Sequence, residues 1–197
     1  MTSQNTDPST SSYYVTDAFY ENLMRDFEGW DDDALRIDEG PNHVRAAAML
    51  KREARYLDQG RYQDWLSLFA PECAYWIPGT WHRGDPRREI AFAFHDRRQL
   101  EDRVYRLETG FAWSQTPASR TSRMISNIEV FSTRTPGVFM IRSAFHTTEF
   151  WNGEMRFWIG NAVHRLHTHH DGSTEILAKQ VNLLNCDENI RNPSITL

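Results

Sequence analysis

Apolar residues along this chain keep two rhythms, a helical one up to about residue 111 and a strand-like one from about residue 122 onward. Phe19, Leu23, Phe27 and Trp30 recur at steps of three and four, which predicts an amphipathic helix near the start. Val44, Ala47, Ala48, Ala54 and Leu57 extend the same spacing from Asn42, a good N-cap, to Gln59-Gly60, where glycine can close the helix. A shorter helix is expected over Tyr62–Phe69, ended by Pro71, and a core strand over Cys73–Ile77, stopped by Pro78-Gly79. Residues 80–93 read as a loop. Asp96 is placed to cap a further helix whose stripe is Leu100, Val104, Leu107 and Phe111. Its other faces are basic through Arg97, Arg98, Arg103 and Arg106, with Glu101, Asp102 and Glu108 near enough to pair with them.

Four runs rich in Val, Ile, Phe, Trp and Thr follow, at about 122–132, 138–151, 154–168 and 174–185, and read as strands. Thr135-Pro136-Gly137, Asn152-Gly153 and Asp171-Gly172 separate them, and the last two suit hairpins with positive φ. Helices first and a meander afterwards predict an α+β fold, with helices segregated to one face of a curved antiparallel sheet.

The 197 residues are enough for one domain with a sizeable core, and the seven Trp could fill it or a large subunit contact. The net charge of −5 is unevenly spread: residues 1–40 carry ten acidic side chains against Arg25 and Arg36, leaving 17 acidic and 20 basic for residues 41–197. Residues 1–40 thus read as an acidic, partly helical arm, disordered at its Ser/Thr-rich start and packed on its own domain or a neighbour, before a single domain at 41–197. Without an aromatic-interleaved basic stripe, nucleic acid is not an expected partner. No run of about 18 apolar residues and no signal peptide is present, so no membrane partner and a cytoplasmic address are expected. Cys73 and Cys186 are expected as free thiols.

After the arginine-rich helix comes a corner, Trp113-Ser114-Gln115-Thr116-Pro117-Ala118-Ser119-Arg120-Thr121. Tryptophan and arginine are enriched where surfaces dock, and proline lowers the entropy lost on ordering a loop. This segment, through Asp96, Leu100, Arg103, Arg106, Leu107, Trp113, Pro117, Ser119, Arg120, Thr121, Ser126 and Asn127, resembles the beta (small) subunit of Rieske non-haem iron aromatic-ring-hydroxylating dioxygenases. A second matching block runs from Arg52 to Leu66 and continues in Tyr75-Trp76-Ile77-Pro78, and a looser one closes the chain at Asn192–Leu197. The resemblance spans roughly residues 43–197. Departures lie at Gly160–Arg165 and Lys179–Asn185, where the family's usual arginine patterns are absent.

The resemblance implies the cone-shaped fold of the nuclear-transport-factor-2-like and cystatin-like group. It also implies a non-catalytic subunit that assembles with an iron-containing alpha subunit, as alpha-three-beta-three, with self-association as a trimer. The Rieske 2Fe-2S cluster and mononuclear iron would belong to that alpha subunit, and electrons would derive from NADH. Arg103, Arg106, Trp113, Pro117, Ser119 and Arg120 are the residues expected at a subunit interface or docking corner, with Arg120 either in a carboxylate fork or paired internally.

Other chemistry is weaker in the sequence. Asn161, His164 and His169 mimic the spacing of the alpha subunits' iron ligands, but strand parity sets His167 and His169 opposite His164 and His170, and no carboxylate has an evident claim. Cys73 and Cys186 lack the paired histidines of a Rieske site, and no glycine-rich nucleotide loop exists. The alternative is a stand-alone lyase or isomerase of the same fold, using an Asp/His or Tyr/Asp pair in a pocket, with Tyr56, Asp58, Tyr75, His95, Asp96 and His146 as candidates. A binding module of this fold is a third reading.

Overall fold

The computed structural model describes residues 15–81, 84–190 and 195–197. Residues 1–14, which include the start expected to be disordered, and half of the closing block at Asn192–Leu197 lie outside the described residues. Helix α1 (Asp17–Phe27) starts at Thr16, whose hydroxyl accepts from the Phe19 amide at 3.2 Å. A two-residue strand β1 (Arg36–Ile37) precedes α2 (Pro41–Asp58). The N-cap of α2 is Gly40, not Asn42, because Pro41 occupies the first helical position, where its fixed φ fits and its missing N–H costs nothing. Helix α3 (Tyr62–Leu66) is shorter than expected, and β2 (Phe69–Pro78) begins directly after it.

Residues 80–93 are not wholly loop: β3 (Ala91–His95) pairs antiparallel with β2, setting Tyr75 opposite His95 and Trp76 opposite Phe94. AFAFH is apolar but only five residues long, too short a run to announce itself as a strand. Helix α4 (Arg97–Thr109) has a full capping box between Asp96 and Gln99 and closes at Gly110, whose φ of 77° suits glycine. Phe111 therefore lies past the helix and is exposed, whereas Leu100 and Val104 are buried.

Strands β4 (Arg120–Ser132), β5 (Val138–Trp151), β6 (Glu154–Thr168) and β7 (Thr174–Leu183) form the expected meander. Asn152 and Gly153 both have positive φ, as the tight β5–β6 hairpin requires. The seven-stranded sheet runs β1-β4-β5-β6-β7-β2-β3. It is antiparallel except where β2 joins the free edge of β7 in parallel, which the long stretch of chain from β3 to β6 between them allows. Gly160 permits close approach of β6 to β7, since a Cβ there would lie 1.9 Å from the Asn182 carbonyl oxygen.

Helices α2, α3 and α4 cover one face through Leu50, Leu57, Trp65, Leu100 and Val104, against Tyr75, Ile141, Leu166, Val181 and others. Burial of each such side chain contributes on the order of 1.5–3 kcal/mol. The arm does not share this face. Helix α1 and Trp30 lie on the opposite face, packing Leu23 against Ala74 and Ala178, and Trp30 against Phe131, Met140 and Val163. Asp26 accepts from Arg165 Nε at 2.6 Å in a buried pair that fixes α1 to β6. Among the described residues no helix is long and apolar enough to cross a membrane.

Candidate functional site

The cone interior, between α2 and the sheet, would be the place for a catalytic pocket. Glu53 faces it from the apolar side of α2, between Leu50 and Leu57. Its Oε1 accepts from Lys179 Nζ at 2.8 Å and from Trp65 Nε1 at 3.1 Å, and its Oε2 faces His164 Nε2 at 2.9 Å. Burial alone would raise the Glu53 carboxyl, but Lys179 and His164 together outweigh it and hold the group ionised, below the ordinary carboxylate range. Burial pushes His164 down against the pull of Glu53, and the ionised Glu53 Oε2 accepts from its Nε2–H. Lys179 also donates to the Leu197 carbonyl at 2.8 Å, and that residue is further tied to the Tyr75 hydroxyl through its N–H and its carbonyl, each at 3.1 Å.

The remaining space is a cavity of about 30 Å³ lined by Leu57, Ile125, Phe145, Thr147 and Leu197 among others. That volume suits about one water, whereas pockets for organic ligands run to roughly 300–1,000 Å³. The carboxylate and the lysine saturate each other, leaving neither free to move a proton on a substrate.

The six pocket candidates do not gather in one pocket, although Tyr75 and His95 stack across β2 and β3. Asp58 accepts from Thr121 Oγ1 at 2.8 Å and from the Arg123 amide at 3.0 Å, and pairs with the Arg123 guanidinium. Tyr56 lies under Arg61, 4.5 Å from its ring centroid. Tyr75 is sealed in the core, and burial raises its hydroxyl above the usual phenol range. Asp96 is the α4 cap. His95 stacks on Tyr75, and burial, then the Arg103 and Arg106 cations, bring it down to about 4. His146 is on the other face of the sheet, against Phe157.

The docking-corner residues divide into an internal pair of roles and an exposed set. Arg103 is buried, not on a solvent face, and donates to the Ile195 carbonyl at 2.8 Å and to Thr196 Oγ1 at 3.2 Å. Ser119 donates to Gln115 Oε1 at 2.9 Å, closing the 3-10 turn Trp113–Gln115 onto β4. Trp113 is 82% exposed, and Arg106 and Pro117 are exposed beside it. Trp151 Nε1 donates to the Pro117 carbonyl at 2.9 Å, tying the corner to the end of β5. The arginine–carboxylate anchor expected at Arg120 is made instead by Arg123 with Asp58, while Arg120 lies over the Phe150 ring at 4.7 Å.

Arg120 also begins an apolar sheet face. Register sets Arg120, Phe150 and Met155 in one row, Ser122, Thr148 and Phe157 in the next, and Met124, His146 and Ile159 in a third. Alternation puts these rows on one side of the sheet. Met124, Met155, Phe157 and Ile159 are all at least 40% exposed. Phe157 and the two methionines give this face its apolar character, while Trp158 and Phe145 face inward.

The family model for the ring-hydroxylating beta subunit matches residues 52–187. The chain belongs to that family. The beta subunit of toluate 1,2-dioxygenase from Pseudomonas putida is 37% identical over 106 residues, covering 51% of this chain and 65% of its own length. The small subunit of 2-halobenzoate 1,2-dioxygenase from Burkholderia cepacia is 31% identical over 150 residues, covering 73% of this chain and 89% of its own. Among solved structures, the beta subunit of benzoate 1,2-dioxygenase from Burkholderia mallei superimposes with a TM-score of 0.64 at 27% identity, covering 80% of this chain and 99% of that one. The α+β cone expected from the sequence is the fold this beta-subunit family shares.

Glu53, His164 and Lys179 were not legible as a cluster, since they lie 111 and 126 residues apart in their two pairings. The only signal was an acid between Leu50 and Leu57 on an apolar helix face. No carboxylate had an evident claim on the later histidines in the sequence; the strand register sets Glu175 on β7 opposite His167.

Proposed function

We propose that this chain is the non-catalytic beta subunit of a Rieske-type aromatic-ring-hydroxylating dioxygenase. It assembles with an alpha subunit that holds the Rieske 2Fe-2S cluster and the mononuclear iron, as alpha-three-beta-three, with electrons drawn from NADH. The observation that carries this reading is the filled cone. A cavity of about 30 Å³ closed by the Glu53–Lys179–His164 cluster leaves no room for the substrate of a stand-alone lyase or isomerase. The family's signature residues Trp113, Pro117 and Arg120 are exposed, which supports a role between subunits.

Two surfaces serve that assembly. The corner Arg106, Trp113, Pro117 and Arg120, held from behind by Arg103 and Ser119, docks the alpha subunit. The face of Met124, Met155, Phe157 and Ile159 packs against further copies of the beta chain, because contiguous apolar surface is costly to leave wet. The curated relatives are subunits of toluate and 2-halobenzoate dioxygenases, which supports a ring-carboxylated aromatic as the substrate of the complex.

The test is co-expression with a Rieske-type ring-hydroxylating alpha subunit from the same organism. The expected result is one complex of equal numbers of both chains, turning over benzoate-type acids. Turnover by the beta chain alone, or failure of the two chains to co-purify, overturns the proposal.

A further inference from the structure

The end of the β6–β7 hairpin gathers two imidazoles and a carboxylate that neither the core nor the assembly surfaces use. His167 is next to last in β6, His169 follows the strand directly, and Glu175 pairs with His167 in register. Residues two apart on an extended chain point the same way, so both rings and the cross-strand carboxylate share one side. Glu175 Oε1 lies 3.5 Å from His167 Nδ1 and 3.0 Å from His169 Nε2. The two rings meet edge to face at 4.4 Å, and one ligand atom from each of the three residues falls within 4.8 Å of the others. A tetrahedral ion with bonds of about 2.0–2.2 Å spaces its ligands roughly 3.3–3.6 Å apart, so side-chain rotation closes the set.

The backbone holds this arrangement before any ion arrives. The Thr168 amide donates to Gly137 at 2.8 Å, the His169 amide to Ser173 at 2.9 Å, and the Gly172 amide back to His169 at 2.9 Å. A Cβ at Gly137 would come within 3.2 Å of the His167 ring, so the glycine lets the neighbouring turn lie against it. Asp171 accepts from the Ser173 amide at 2.8 Å and hydroxyl at 2.6 Å, which closes the turn beside His169. The three side chains are 27–42% exposed, which leaves the remaining coordination positions to water.

We propose that His167, His169 and Glu175 form a site for one divalent transition cation of the zinc class, pinning β7 to the end of β6. Imidazole ligands select such ions over magnesium or calcium.

The beta chain, prepared without a polyhistidine tag and treated with EDTA, is titrated calorimetrically with ZnCl2, and its thermal unfolding is followed with and without the ion. The expected result is one saturable equivalent and a raised melting temperature, because an ion that binds only the folded state stabilises it. Both His169→Ala and Glu175→Gln should weaken binding by roughly tenfold or more, since even the outer partners of metal ligands are worth ~10–100-fold. Circular dichroism of the metal-free variants should match the parent, and MgCl2 should give no saturable heat. Absence of a saturable zinc site, or one that survives both substitutions at parental affinity, overturns the proposal.

Discussion

Lys179 of β7 and Glu53 of α2 meet at 2.8 Å inside the cone, with side chains only 6% and 4% exposed. The pair clamps the long helix onto the sheet, and the second bond of the lysine to the Leu197 carbonyl carries the clamp on to the last residues. Desolvating two charges is costly, so such a pair contributes through fit more than through net energy.

Replacing Lys179 by Met should therefore destabilise the subunit by about 3–5 kcal/mol, because it strands the Glu53 charge with His164 and Trp65 as its partners among the described residues. The double change Glu53→Met with Lys179→Met removes both charges and should cost less than the single one. Urea unfolding monitored by tryptophan fluorescence measures both. A double variant less stable than Lys179→Met would show that the pair itself supplies the stability.

Acid should loosen the fold through His95. Its folded pKa is about 4 against an ordinary 6.5, so the unfolded chain takes up a proton more readily. The stability tied to the neutral ring is fully present above pH 6.5, falls between 6.5 and 4, and is gone below. The loss is on the order of 1–3 kcal/mol. His164 and Glu53, both shifted downward, act with the same sign. A His95→Asn variant should show a shallower decline over that window when unfolding free energy is compared with the parent at matched pH, and an unchanged slope would remove His95 from the account.

Phe157 is 61% exposed in the middle of the apolar β4–β6 face. A Phe157→Asp substitution should leave the monomer folded and reduce self-association, read as a fall from trimer to monomer mass in light scattering at micromolar concentration. Persistence of the trimer would move the contact to another surface.

Trp113→Ala and Arg120→Ala should lower the yield of alpha–beta complex while leaving turnover per assembled iron site nearly unchanged. Both side chains are solvent-facing, so truncation removes contact area without opening the core. Normal assembly with a hundredfold loss of turnover, the scale of a missing acid–base group, would give the corner a catalytic role.

Local rhythm was enough to place most elements. The stripe through Leu100 and Val104, the Asp96 cap, the Asn152-Gly153 turn and the four long strands depend on residues a few positions apart, and propensity, capping and periodicity act over that range. The signature residues from Trp113 to Arg120 likewise carried the family from the chain alone. What lay beyond reach was decided by non-local pairing. β3 exists because β2 offers it an edge, and α1 sits on the far face because Asp26 finds Arg165 there. Arg103 looked solvent-facing because helix position does not reveal that the residues at 195 and 196 fold back to receive it. Glu53, His164 and Lys179 come from α2, β6 and β7, and His167 meets Glu175 only through the β6–β7 register. Side-chain charge and size are written in the sequence, but the partner that makes an acid a clamp, a cap or a ligand is chosen when distant strands settle into register.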